Sequence, residues 1–252
     1  EVFFENINYN YIFSMDEVME FNEFMKKNTI MGRLLNIMKT KNTQIIFSCD
    51  VTTMTKLQYF ADICGPYICV LKVHTDMIID FNVGQMLYIR SLAEKHNFLI
   101  MEDRKFGDIG STLEKQLNGC FQYRQWCDLV TVYPYIGQTG IDLFKKYKIG
   151  VFLLAELSIN EGEILPYTDL YYNEDNFMDP IIGTIGQNKT GYLQATPGIH
   201  LEQTGDHMNQ KYKTPKTAKS KGANLFIIGR AIYSAVNPAE KIKEYHKNIQ
   251  TL

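Results

Sequence analysis

The chain has 252 residues, of which 45% are hydrophobic and 21% charged, and its formal net charge is −2. This composition excludes a disordered, collagen-like or disulfide-stapled protein, and no apolar run approaches the roughly 18 residues that a membrane-spanning helix needs. The near-neutral charge predicts no basic surface for nucleic acid or for an acidic membrane. We therefore expect partners that include neither nucleic acid nor membrane.

The five cysteines form no C-x-x-C pair and no Cys/His cluster with zinc spacing. We predict that they are small apolar core residues in a reducing compartment, and hence that the protein is cytoplasmic. The N-terminus has neither a basic region nor an uninterrupted apolar stretch, so no secretory signal is expected. Because residue 1 is Glu and not Met, we expect a trimmed chain or a domain of a longer one.

In chain order, helical patterns come first. A capping box at 14–17 precedes one apolar stripe, and Met31, Leu34, Leu35 and Met38 form a second, so residues 1–40 are predicted to be an N-terminal helical extension. Short apolar runs then predict eight strands, at 44–49, 67–71, 98–102, 128–133, 150–155, 181–185, 192–195 and 225–228. Helical patterns fill most intervals between them.

This alternation of strands and helices predicts an α/β fold, a (β/α)₈ TIM barrel with extra N-terminal helices. Several runs are continuously apolar, as expected of parallel strands that are covered on both faces. A doubly wound open sheet is the structural alternative, but no G-x-G-x-x-G follows the first strand. Since no linker or repeat interrupts the pattern, we predict one domain over residues 1–252.

Polar residues collect at the predicted carboxyl ends of the strands, where barrels place their active sites. Asp50 follows the first strand, Lys72 and His74 end the second, and a D-x-K-x-x-D motif at 103–108 follows the third. Each has a plainer interpretation alone: a solvated loop residue, a structural histidine, or a loop held by surface ion pairs. Their shared location favours an array of Lys and Asp charges around the barrel mouth.

The polar connection at 197–213, between strands seven and eight, has the length of a lid or binding loop. Loops after strands seven and eight frequently bind phosphate. Arg230, one of only five arginines, is positioned to be a bidentate phosphate ligand, unless Gly229 and Arg230 merely end the strand. Together these patterns predict a barrel enzyme for a small phosphorylated substrate, working without a metal.

The same motifs resemble those of the orotidine 5′-phosphate decarboxylase family. The similarity covers about residues 30–245, and the matching stretches are DVTT at 50–53, LKVHTD at 71–76, EDRKFGDIG at 102–110, LAELS at 154–158, TPG at 196–198, QKY at 210–212 and IGR at 228–230. The resemblance implies a homodimer that needs neither metal nor cofactor. It also implies decarboxylation of orotidine 5′-monophosphate to uridine 5′-monophosphate, the last step of de novo pyrimidine nucleotide synthesis.

The resemblance further implies individual roles. Lys105 is implied to stabilise a carbanion at C6 of the pyrimidine and to protonate it, within a charge array completed by Asp103, Lys72 and Asp108. Asp108 is implied to reach the partner subunit's active site. The implied substrate-binding residues are Asp50, Lys72, His74, Thr112, Ser158, Pro197, Gln210, Tyr212, Gly229 and Arg230. Two alternatives stay open: a metal-dependent phosphosugar enzyme of the same superfamily, and a non-catalytic nucleotide-binding homologue.

Overall fold

The computed structural model describes residues 29–157, 165, 180–186, 193–201 and 212–252. Within them the strands are β1 (Ile45–Ser48), β2 (Val70–Val73), β3 (Leu99–Phe106), β4 (Leu129–Val132), β5 (Gly150–Leu154), β6 (Ile181–Ile185), β7 (Gln194–Thr196) and β8 (Leu225–Ile228). The helices are α1 (Ile30–Lys41), α2 (Met54–Cys64), α3 (Val83–His96), α4 (Gly110–Asn118), α5 (Gly137–Tyr147), α6 (Pro215–Ser220), α7 (Arg230–Tyr233) and α8 (Pro238–Gln250). The helix predicted after the capping box at 14–17 lies outside the described residues.

The eight strands form a closed parallel barrel in chain order, with β8 pairing back onto β1. The predicted (β/α)₈ fold is therefore confirmed. Two strands differ from their predicted bounds by three residues or more, and the other bounds agree within two residues. β2 begins only at Val70, because Gly65–Tyr67 form a 3₁₀ turn around a proline. β3 continues past Glu102 to Phe106 and contains a register shift against β4.

The barrel interior is apolar at its amino end and is covered there by α1. The predicted stripe on α1 packs in one cluster with interior strand residues such as Ile46, Leu129 and Leu225. The N-cap of α1 is Thr29, whose hydroxyl accepts from the Gly32 N–H at 3.1 Å, and the helix ends at Asn42 in the left-handed conformation. A second apolar layer separates the barrel from the outer helices.

Asp128 links α1 to the barrel through hydrogen bonds and ion pairs. Its buried carboxylate accepts from Arg33 Nη1 on α1 at 3.1 Å, from Arg90 on α3, and from the Ile100 N–H on β3 at 3.0 Å. Two cations and a backbone donor together stabilise a charge that would be costly to bury alone. Two of the five arginines thus serve this end of the barrel and not the predicted site.

Lys41, the last residue of α1, also links this helix to the barrel, here through a positively charged side chain. Its ammonium donates to the carbonyl oxygens of Gly65 (2.7 Å), Ile68 (2.6 Å), His96 (2.7 Å) and Asn97 (2.9 Å). Burial lowers the pKa of Lys41 to about 8. One side chain therefore satisfies carbonyls in the segments that lead into β2 and β3.

All five cysteines are free thiols, and Cys49, Cys64, Cys69 and Cys127 are buried as predicted. The prediction is wrong for Cys120, which is exposed because it lies in the turn after α4. In the described parts of the chain, no helix combines the length and apolar character needed to cross a bilayer.

We predict that Lys41→Met lowers the free energy of unfolding by about 2 to 4 kcal/mol, because Met fills the volume but leaves several carbonyls without a donor. Urea unfolding followed by circular dichroism measures this loss. The matched control is Lys56→Met at an exposed position of α2, which should change stability by less than about 0.5 kcal/mol. Equal stabilities of the two variants would contradict the bridging role of Lys41.

Candidate active site

A cavity of about 970 Å³ opens at the carboxyl ends of the strands. Leu154, Ile185 and Ile227 give it an apolar floor. The cavity is lined by eight of the residues predicted for the site: Asp50, Lys72, Asp103, Lys105, Pro197, Tyr212, Gly229 and Arg230. Ser158 and Gln210 lie outside the described residues. The strand-end pattern in the sequence thus leads to one shared cavity.

Asp103 is the centre of the charge array. Its Oδ2 contacts the ammonium of Lys72 and lies 3.1 Å from His74 Nε2. Its Oδ1 accepts from Lys105 Nζ at 2.9 Å and from Thr131 Oγ1 at 2.7 Å. Both carboxylate oxygens are therefore occupied by donors from β2, its following turn, β3 and β4.

These contacts shift the pKa values of Asp103 and Lys72. Burial alone would raise the pKa of Asp103, but Lys72, His74 and Lys105 hold it well below its ordinary value. Burial likewise opposes the charged form of Lys72, yet Asp103 and Asp50 keep its pKa above its ordinary value. The aspartate and the buried lysine are consequently both ionised at neutral pH.

Lys105 reaches the cavity from a distorted part of β3. Its φ of 53° is in the left-handed region, which residues other than glycine seldom adopt. The register shift between Glu102 and Phe106 accompanies this conformation. Thr131 of β4 accepts the Lys105 N–H at 3.1 Å and so holds the distorted backbone. The Lys105 side chain is 34% exposed, so its ammonium faces the cavity beside Asp103.

Thr131 was not among the residues predicted for the site. It lies within an apolar run, where threonine is usually a core residue, and no local motif marks it. The available signal was its place on β4, the strand that pairs with the strand carrying the D-x-K-x-x-D motif.

Asp50 and Gly229 follow the paired strands β1 and β8, and both line the cavity. Ser48 Oγ donates to Asp50 Oδ1 at 2.8 Å and thereby fixes the carboxylate after β1. Gly229 packs tightly here, since a Cβ at this position would lie 3.2 Å from Ser48 Cβ. This close approach brings the start of α7, with Arg230, to the cavity edge.

The ends of the connection between β7 and α6 are joined at the cavity. Lys213 N–H donates to Gly198 O at 2.9 Å, and His200 N–H donates to Lys213 O at 2.9 Å. Gly198 has a φ of 72°, which turns the chain after Pro197. Tyr212 lies beside His200, with ring centroids 5.6 Å apart. Both ends of the predicted lid therefore border the cavity.

His74 contacts Asp103 but does not itself line the cavity. Glu102 binds the next residue, Thr75. Thr75 donates to Glu102 through its N–H at 3.2 Å and its hydroxyl at 2.8 Å. Burial raises the pKa of Glu102 to about 8, although these hydrogen bonds from Thr75 lower it. Sequence reasoning gave Glu102 no role, because it alternates with Asp103 and faces the helices instead of the barrel interior.

One group of three possible metal ligands occurs among the described residues, and it consists of His74, Asp76 and Glu102 with ligand atoms within 4.8 Å of one another. His74 already contacts Asp103, and Glu102 already accepts from Thr75. The arrangement is thus explained by protein partners without an ion.

Asp108 and Thr112 are placed differently from the other predicted site residues. Both are exposed, and neither lines the cavity of its own chain. Asp108 accepts from Gln116 Nε2 at 2.5 Å on α4. In this position neither side chain reaches the cavity of its own chain.

The fold and the site define a (β/α)₈ barrel protein. In its cavity one aspartate, Asp103, forms ion pairs with two lysines, Lys72 and Lys105. Residues 43–245 match the orotidine 5′-phosphate decarboxylase / HUMPS family. The chain belongs to this family.

Individual relatives agree with the family assignment. The chain is 31% identical to orotidine 5′-phosphate decarboxylase of Aspergillus oryzae, over 87% of this chain and 89% of that protein. It is 35% identical to the decarboxylase of Torulaspora delbrueckii, over 81% and 84%. Uridine 5′-monophosphate synthase of Bos taurus is 34% identical over 86% of this chain, which corresponds to 48% of the bovine protein.

Solved structures share the fold. Orotidine 5′-phosphate decarboxylase from Pyrococcus horikoshii superposes with a TM-score of 0.62 at 23% identity, over 82% of this chain and all of that one. The Methanocaldococcus jannaschii enzyme in complex with the inhibitor BMP gives 0.60 at 16% identity, over 82% and 98%. At these identities the likeness supports the barrel fold alone.

Glu102 predicts a specific pH dependence of stability. Because its pKa is raised from 4.5 to about 8, the folded chain retains a proton that the unfolded chain releases. This contribution is fully present below about pH 4.5 and is lost as the pH rises through about 8. Glu102→Gln cannot ionise but still accepts from Thr75, so its unfolding free energy should fall less between about pH 5 and 8.

Urea unfolding across that pH range measures the difference. Glu94→Gln is the matched control, since this side chain is 71% exposed on α3; it should keep the parent's pH dependence. Parallel curves for Glu102→Gln and the parent would show that Glu102 is ionised in the folded protein.

Proposed function

We propose that this protein converts orotidine 5′-monophosphate to uridine 5′-monophosphate and carbon dioxide, as the last step of de novo pyrimidine synthesis, without a metal or a cofactor. The observation that carries the proposal is the array of Lys72, Asp103 and Lys105, which all line the cavity. Family membership and the decarboxylase relatives support it. The free thiols support the cytoplasmic location that we also propose.

The reaction needs a fixed cation at one carbon. Breaking the bond between C6 and the carboxylate leaves an electron pair in the plane of the ring, where the ring cannot delocalise it. An ammonium held near C6 stabilises this charge, because its field is weakly screened in a closed cavity. Lys105 then transfers a proton to C6 and later regains one from solvent. Asp103 holds the ammonium in position until the proton is transferred.

The other lining residues fit the remaining parts of the substrate. We assign the 5′-phosphate to Arg230, Gly229 and Tyr212, at the cavity edge next to both ends of the β7–α6 connection. We assign the ribose hydroxyls to Asp50 and Lys72, and we keep His74 and Pro197 as further proposed substrate contacts. Ser158 and Gln210 remain proposed contacts to the pyrimidine. Closure over the phosphate would exclude water from the reacting end.

A metal-dependent phosphosugar activity is disfavoured by the contacts of Asp103. A divalent cation prefers carboxylate oxygens, but both oxygens of Asp103 already accept from ammonium groups and from Thr131. Two adjacent lysines would also repel the ion. The array therefore suits the stabilisation of an anion.

We further propose a homodimer with shared active sites, in which Asp108 and Thr112 enter the partner subunit's cavity. Their exposure and their absence from the cavity of their own chain support this arrangement. The side chains of Ile109 and Tyr135 nearby are 65% and 55% exposed. Both apolar side chains are available for contact with a partner subunit.

The activity is tested by following the absorbance change of orotidine 5′-monophosphate with and without EDTA. We expect turnover in both conditions, and a loss of at least ~10²-fold in Lys105→Ala because the proton donor is removed. Lys56→Ala, on the exposed face of α2, should turn over like the parent. Activity that appears only on sugar phosphates and vanishes with EDTA would replace the proposal by the phosphosugar alternative. Binding of uridine 5′-monophosphate without turnover would indicate a non-catalytic homologue.

The shared site is tested by mixing two inactive variants, Lys105→Ala and Asp108→Ala, and allowing their subunits to exchange. In a mixed dimer one cavity has its own Lys105 and the partner's intact Asp108, whereas the other cavity lacks both groups. Equal random mixing should restore about one quarter of the parental activity. A mixture that exchanges subunits, as native mass spectrometry can verify, and still stays inactive would place Asp108 in its own subunit's site.

A further inference from the structure

We propose that Thr131 is a positioning residue for the reaction, and that its hydroxyl sets the location of the Lys105 ammonium relative to Asp103. This inference rests on the proposed decarboxylation. Thr131 lies on β4, is 1% exposed and does not line the cavity. It therefore acts on the substrate only through the two charged residues that it contacts.

The first contact fixes the backbone of Lys105. A left-handed conformation at a lysine is unfavourable, so some interaction must hold it. The Lys105 N–H, which the register shift removes from the regular β3–β4 ladder, donates to Thr131 Oγ1 at 3.1 Å. This hydrogen bond gives the displaced N–H a partner and directs the Lys105 side chain toward the cavity.

The second contact fixes Asp103. The same Thr131 hydroxyl donates its hydrogen to Asp103 Oδ1 at 2.7 Å, and this oxygen is also the acceptor for Lys105 Nζ at 2.9 Å. One hydroxyl thus uses its acceptor side for the lysine backbone and its donor side for the carboxylate. Since Lys72 and His74 hold the other oxygen, the carboxylate cannot rotate without losing a donor.

This geometry distinguishes valine from serine at position 131. Valine matches the shape of threonine but supplies neither the donor nor the acceptor, whereas serine supplies both. We expect Thr131→Val to lower kcat by about 10- to 100-fold, because small misplacements of catalytic groups have effects of this size. KM should change by less than about threefold, and Thr131→Ser should retain kcat within about threefold of the parent.

Thr43 offers a matched control at the other end of the barrel. It is also buried, its hydroxyl donates to Tyr67 O at 2.7 Å, and it accepts from the Ile45 N–H at 3.3 Å. Thr43→Val therefore removes one donated and one accepted hydrogen bond, as Thr131→Val does, but far from the cavity. We expect it to reduce stability about as much as Thr131→Val while leaving kcat unchanged.

The experiment measures kcat, KM and unfolding for Thr131→Val, Thr131→Ser and Thr43→Val, together with crystal structures of the two valine variants. The inference is supported if only Thr131→Val loses kcat and its Lys105 ammonium leaves Asp103 Oδ1. An unchanged kcat in Thr131→Val, or an equal loss in Thr43→Val, overturns it. If the parent itself fails to turn over orotidine 5′-monophosphate, the proposed function is wrong. The positioning role of Thr131 is then tested by the crystal structures alone. An unchanged position of Lys105 in Thr131→Val would contradict that role.

Discussion

The carboxylate of Asp103 is the constraint on which the site depends. It lies almost buried between the ammonium groups of Lys72 and Lys105, which would repel each other if it were absent. Burial of this carboxylate would in turn be unfavourable without the two cations. The three charges are therefore stable only as a set, and the strands that carry them must keep their register. The barrel supplies that register through the parallel pairing of β2 with β3 and through Thr131 of β4, which contacts both Asp103 and Lys105.

The two ends of the barrel use the same electrostatics for different purposes. At the amino end Asp128 is held by Arg33 and Arg90, whose guanidinium groups do not release protons at any accessible pH. At the carboxyl end Asp103 is held by lysines, and a lysine can donate a proton to a reacting carbon. The type of cation thus differs between the two clusters: arginines stabilise the structure around Asp128, whereas the lysines around Asp103 are suited to proton transfer.

Much of this arrangement could be predicted from the sequence because strand periodicity and strand ends are local properties. The apolar runs located all eight strands, and the positions of Lys72, Asp103 and Lys105 after them indicated a common cavity. The remainder depends on contacts between strands. Thr131 looks like an ordinary core residue, and the left-handed conformation of Lys105 has no glycine to mark it. No role was predicted for Glu102, because it alternates with Asp103 along β3 and its hydrogen bonds come from Thr75, which follows a different strand.

The position of α1 has a consequence for how the chain folds. This helix precedes every strand in the chain, yet it packs in one apolar cluster with Leu225 and Ile227 of β8. Its buried face cannot be covered fully until the last strand has been synthesised and the barrel has closed. Contacts of such long sequence separation slow folding and leave apolar surface exposed meanwhile. Completion of the amino end of the barrel is consequently a late event, even though the helix that covers it is made early.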